Sequence, residues 1–262
     1  MVTTAYSITQ SGRYEPFNLQ VARGQITNHR AISVFGYNGD VDTTEESVWP
    51  ADGKIPHGQS ASILKVSSSS ASDASGGVGA RTVLIEGLDA NFNEVSETVI
   101  LNGQTAVNTT LSYVAINNLL VMSVGTSDHN VGDINVGTGD VTAGVPAVLF
   151  DLIAATYNQR TTGHYTVPAG YTAYLEVGIF SAGQASGSTS VTGKILVTDN
   201  VSDIQRVGSI VTLNNGSVQF NFSYPILIPE KSCIGATAVG TANNNSASSY
   251  FNILLIKNDA ST

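Results

Sequence analysis

The most regular pattern along the chain lies at residues 217–224. Val218, Phe220, Phe222 and Tyr224 alternate there with Ser217, Gln219, Asn221 and Ser223. A period of two puts the two sets on opposite faces of a strand, so the aromatic set is expected to be buried and the polar set wet. Asn214-Asn215-Gly216 stands just before it. These residues accept positive φ and predict a tight hairpin turn joining residues 207–213 to the aromatic strand. Residues 171–180 alternate as well, with Tyr171, Ala173, Leu175, Val177 and Ile179 on one side. Residues 191–198, 233–239 and 250–257 complete a set of short strands at the spacing of a β-sandwich.

The middle of the chain reads the same way. Residues 81–88 and 95–101, joined by a turn around Asp89-Ala90-Asn91, predict a second hairpin. Asn102-Gly103 offers a further turn, and residues 133–137 a short strand. Two stretches leave helix and strand open. Residues 111–122 space Leu111, Val114 or Ala115, and Leu119 as a helix would, but Asn117-Asn118 weighs against it. Residues 146–157 open on Pro146, a good first helical residue, yet Val148-Leu149-Phe150 suits a strand. Residues 67–77 (SSSSASDASGG), 181–190 (SAGQASGSTS) and 241–249 (TANNNSASS) are expected as linkers or mobile loops between strands. No repeat of fixed period emerges, which excludes a solenoid. The expected fold is all-β: two antiparallel β-sandwich (jelly-roll-like) units at residues 36–158 and 159–262, preceded by an extended N-terminal arm at residues 1–35.

Composition supports the strand reading. Only 12% of residues are charged, too few for the wet faces of surface helices, while 42% hydrophobic content can supply a core. Cys233 stands alone, so no internal disulfide forms. Residues 1–10 have neither the basic flank nor the apolar run of a signal peptide, and folding in a reducing cytoplasm is expected. Asp151 interrupts the most apolar stretch, residues 147–155, and no membrane span is expected.

The net charge of −9 is unevenly spread. Residues 1–35 carry Arg13, Arg23 and Arg30 against Glu15, a net +2; residues 36–160 carry four bases against fourteen acids; the remainder is nearly neutral. No strong basic stripe is available for nucleic acid. The positive leading segment suggests a docking arm, with Arg13, Arg23 and Arg30 meeting acidic partner surfaces. Tyr14, Phe17, Leu19, Val21 and Ile26 would be its apolar anchors. The competing expectation is a first strand at residues 17–21.

Motifs for catalysis are weak. Ser62-Ile63-Leu64-Lys65 matches Ser-x-x-Lys, but that chemistry needs a helical turn and companion motifs absent here. His29, His57, His129 and His164 lack metal-type spacing. Asp89, Glu94 and Glu97 are the nearest candidates for a glycosidase carboxylate pair. Asp40, Asp42, Glu45 and Glu46 crowd one loop and are weak calcium candidates beside a plain solvated turn, as is the stretch from Asp133 to Asp140. Asn-x-Ser/Thr triplets at Asn108, Asn200, Asn215, Asn221 and Asn244 follow from composition. No cofactor is expected, and an enzyme is not.

Several stretches taken together carry a resemblance. LQVARGQITNHRAISVFGYN (residues 19–38) is followed by DTTEESVW (42–49), GARTVLIEGLDANFNEVSETVILNGQTAV (79–107), YTVPAGYTAYL (165–175) and IPEKS (228–232). The series resembles structural proteins of tailed bacteriophages, common among phages of aquatic bacteria. The resemblance implies a virion component folded in the host cytoplasm, without catalysis. The implied partners are copies of itself, as a homotrimer, and the major capsid protein or other virion proteins. The expected role is a capsid decoration or cement protein that clamps shell subunits. A head- or tail-fibre adhesin for host glycan is the alternative, and a glycan-cleaving enzyme a distant third. The resemblance carries over no site residue.

Overall fold

Alternating sequence dominates this chain, and it folds almost entirely as antiparallel strands. The computed structural model describes residues 7–8, 14–56, 59–187 and 189–258. In chain order the elements are β1 (Ser7–Ile8), β2 (Tyr14–Glu15), α1 (Phe17–Ala22), β3 (His29–Val41), β4 (Glu46–Ser47), β5 (Ser62–Ser68), β6 (Ala80–Leu88), β7 (Glu94–Ile100), β8 (Val107–Tyr113) and β9 (Ala115–Val124). They continue as β10 (Ile134–Thr142), β11 (Val145–Ile153), β12 (His164–Thr166), β13 (Tyr171–Gly183), β14 (Val191–Asp199), β15 (Ile204–Leu213), β16 (Gly216–Ile228), β17 (Ser232–Gly240) and β18 (Asn245–Lys257).

The larger core lies between two sheets. One has the order β16-β13-β18-β3, and the other β12-β17-β14-β15 with β4 added on β17. Every second residue of these strands enters the core: Val34, Ala173, Leu175, Phe251, Ile253 and Leu255 from the first sheet, Ile195, Ile234 and Ala236 from the second. Gly193 is required there, because a Cβ at its position would stand 2.3 Å from the Phe180 ring.

Between β4 and β12 the chain builds a second body. Its sheets run β11-β10-β5-β8 and β7-β6-β9, and both feed one core that includes Leu64, Val83, Ile85, Tyr113, Leu119 and Ile153. A smaller cluster of Trp49, Ile55 and Leu152 joins the first body's β4 region to β11. At the junction Tyr37 N–H donates to the Thr161 carbonyl at 3.0 Å. Gly36 permits this approach, since a Cβ there would meet Gly163 at 2.5 Å.

Several expectations change. The β6–β7 hairpin forms as predicted, and both ambiguous stretches are strands, β8–β9 and β11. The hairpin predicted at Asn214-Asn215-Gly216 does not form: β15 pairs with β14 and β16 with β13, so this turn carries the chain from one sheet to the other. Val218, Phe220 and Phe222 do pack on the core, but Tyr224 is 92% exposed. The reason is a bulge. The β13–β16 register jumps from Val177↔Asn221 to Leu175↔Ile226, leaving residues 222–225 without ladder partners.

The extended arm at residues 1–35 is also revised. Residues 17–22 form α1, because Pro16 at its N-cap stops a strand and leaves the next residues free to turn. Residues 29–35 pair with β18 as part of β3, so the expected boundary at 35/36 falls inside a strand. Residues 67–77, expected to be mobile, include Ser67, Ser68 and Asp73, all fully buried.

Candidate interaction surfaces

The docking residues are spread over the first body. Arg13 lies outside the described residues. Arg23, just past α1, pairs with Glu15. Arg30 reaches the second body, donating to Glu94 Oε1 at 2.8 Å while its guanidinium lies 4.8 Å from the centre of the Tyr171 ring. Phe17 is half-buried, edge-on to His29 at 5.9 Å. Arg23, Arg30 and Phe17 therefore make contacts within the chain. Of the apolar anchors, Val21 is buried and Leu19 exposed.

The four acidic residues of the calcium loop do not converge. Glu45 pairs with Lys54 at 3.0 Å and also with Lys194. Burial works against its charge, but these two ammonium groups outweigh that and hold its carboxyl below the usual range. Glu46 is buried and accepts from the Asp42 N–H at 2.7 Å, while Asp40 is exposed. In the second candidate stretch, residues 134–142 are strand rather than loop, and Asp133 Oδ1 accepts from Ala155 N–H at 2.8 Å. Among the described residues no group of three or more His, Cys, Asp or Glu side chains is placed to hold a metal ion.

The other candidate groups are likewise committed. Asp89 accepts from the N–H groups of Asn91 and Asn93, closing the β6–β7 turn. Glu97 accepts from Thr110 N–H and Oγ1, Leu111 N–H and Tyr113 OH, at 2.8–3.1 Å. Burial opposes its ionisation, yet these bonds outweigh burial and lower its pKa. Ser62 donates to the Ser60 carbonyl and Lys65 to the Gly139 carbonyl, as their strand positions require. Burial pushes the Cys233 thiol up to about 12, which leaves it a poor nucleophile.

Sequence reading missed the ion pair at the junction of the bodies. Arg160 Nε lies 2.7 Å from Asp151 Oδ2, and both side chains are almost fully buried. Thr162 Oγ1 donates to Asp151 Oδ1 at 2.6 Å, and Arg160 also donates to the His164 carbonyl at 3.2 Å. Burial raises the Asp151 carboxyl above its usual range, while Arg160 and Thr162 pull the other way. The available signal was an acid inside an apolar run, which has to find a partner when that run is buried. Beside the junction a cleft of about 560 Å³ opens between β3 and the second body, with Phe35, Glu86, Glu94, Asn118 and Gln159 on its walls.

The apolar surface at one end of the first body is less usual. Val201, Ile204, Val207, Ile210, Tyr224 and Leu227 are each at least half exposed, on or beside β15 and β16. In the β13–β16 and β14–β15 ladders these two strands are the edges. Arg206 is the sole charged residue from 204 to 229.

No family model matches the chain, and no curated protein matches it. Among solved structures it is similar to the infectious bursal disease virus VP2 subviral particle, at 10% identity and a TM-score of 0.24, over 88% of this chain and 72% of that one. The structure of the Gx strain of the same virus is similar at 11% identity and a TM-score of 0.20, over 89% and 78%. TM-scores of this size do not establish a shared fold.

Proposed function

We propose that this chain is a structural, non-catalytic protein of a tailed-bacteriophage virion, folded in the host cytoplasm. Its role is that of a capsid decoration or cement protein that binds the major capsid protein or other shell components and associates with itself as a homotrimer. The observation carrying this reading is the strand order of the first body. Taken in sequence, and setting aside the two-residue β4, its eight strands are β3, β12, β13, β14, β15, β16, β17 and β18. The first, eighth, third and sixth make one sheet, and the second, seventh, fourth and fifth the other. That interleaving supports reading this body as jelly-roll-like, an architecture used for viral shells. The second β body is inserted between its first two strands, where it can project without disturbing the ladders.

A second reading, a fibre adhesin for host glycan, is favoured by the cleft, which offers carboxylate, amide and aromatic groups together. Quantitative mass spectrometry of purified particles separates the two. Copies in numbers comparable to the major shell protein support decoration, and a few per particle support the adhesin. Absence from purified particles overturns both.

A further inference from the structure

We infer that the outer face of the sheet β16-β13-β18-β3 is a contact surface between two copies of this chain. The inference goes beyond the virion reading, because it stands on sheet geometry and needs no particle.

Each of the four strands is 13 residues long. At about 4.8 Å between strands and 3.3 Å per residue, they span a face of roughly 800 Å², the area that a standard interface takes from each partner. The inner side of this sheet is the core. The ladder register fixes which side chains share the outer side: one row is Phe35, Tyr250, Ile179 and Gln219, and another is Ala31, Leu254, Tyr174 and Leu227. The row between them is Ser33, Asn252, Val177 and Asn221. All twelve are exposed or partly exposed.

These three rows contain no Asp, Glu, Lys or Arg; Glu176 sits in the bulge between two of them, and Glu86 and Glu94 share the cleft at the β3 edge with Ser33 and Phe35. Burial alone already raises the Glu176 pKa. A wet sheet face in a protein of net charge −9 would ordinarily carry charge. Here aromatic and aliphatic groups alternate with Ser, Asn and Gln, the composition of an interface core rather than of a rim. Charge also identifies the occupant. Two copies of a −9 chain repel over most of their surfaces and approach at least cost where both are neutral. A partner recognised by opposite charge would find only Glu176 to pair with along β16, β13 and β18, whereas a second copy brings the same nearly neutral rows.

The test is sedimentation velocity on the full chain over a concentration series, with circular dichroism as the control for folding. Wild type is expected to run at a multiple of 27.2 kDa. The double variant Gln219→Glu, Asn221→Glu alters two exposed side chains and no core residue, and should run at 27.2 kDa with an unchanged spectrum. Ser33→Glu, on the opposite edge strand, gives the same readout should the first variant fail to fold. Val207→Glu with Ile210→Glu, two exposed positions on β15 of the other sheet, should leave the multimer intact. A wild-type monomer at every concentration overturns the inference, including one that binds host glycan through this face. A multimer that survives the face variants, or that only the β15 variant dissociates, overturns it as well. Absence of the protein from particles with self-association intact would sink the virion reading alone.

Discussion

Replacing Asp73 by Ala removes the acceptor on which a whole loop of the second body is built. The carboxylate is fully buried and accepts four hydrogen bonds: from Ser68 Oγ at 2.6 Å, and from the backbone N–H groups of Ala80 at 2.7 Å, Val131 at 2.9 Å and Gly132 at 2.8 Å. These donors come from three separate segments, so the side chain ties residues 67–80 to residues 131–132. Each buried N–H left unsatisfied costs about 1–3 kcal/mol, and with partial relaxation the three together cost about 5 kcal/mol. Asp73→Asn keeps the shape but turns an NH2 group toward one of the donors, at about 2–3 kcal/mol. Ser68→Ala removes one donor and leaves three, at about 1–2 kcal/mol. Calorimetry reads the order directly. At about 2–4 °C per kcal/mol for a chain of this size, Asp73→Ala should lower the Tm by roughly 10–20 °C, with Asn and Ser68→Ala progressively milder. Three variants melting within roughly 2 °C of wild type would refute the idea that this carboxylate holds the loop.

Three other outcomes follow from burial and pairing. Phe251→Ala should cost about 3–5 kcal/mol, the half-buried Phe220→Ala about half as much, and Tyr224→Ala less than about 0.5 kcal/mol, so equal shifts in urea midpoint would contradict the assigned faces. Arg160→Met leaves Asp151 buried without its cation and should cost about 3–5 kcal/mol, whereas Arg160→Met with Asp151→Leu should recover most of it; additive losses in that double-mutant cycle would show that the pair is not coupled. Burial raises the Glu176 carboxyl above its ordinary 4.5, so the folded state holds this proton more tightly than the unfolded chain. Its stabilising contribution is full below pH 4.5 and lost as pH rises through the folded value; Glu176→Gln should flatten that part of the stability profile, and an unchanged slope would refute the assignment.

The period-two pattern determined by itself that the chain is β, and it located strands such as β6, β7, β13 and β18 and the inward set Val218, Phe220 and Phe222. That information is local: alternate residues face alternate sides of any strand. It does not say which strand lies alongside, and there the tertiary structure decided. Asn214-Asn215-Gly216 has the residues of a hairpin turn, but β15 and β16 each find their ladder partner in a different sheet, so the same turn becomes a crossing. Residues 29–41 read as the end of an arm and the start of a domain because nothing within 40 residues pairs with them. Their partner, β18, lies some 200 residues on. The polar run at residues 67–77 reads as a mobile loop because its anchor, Asp73, is satisfied by N–H groups from a distant segment. Likewise Asp151 showed only that an acid interrupts an apolar run, and folding supplied Arg160. The nearly uncharged outer face of the four-stranded sheet was written in four separate strands, each unremarkable alone, and became one surface only when register set Gln219, Ile179, Tyr250 and Phe35 in a row.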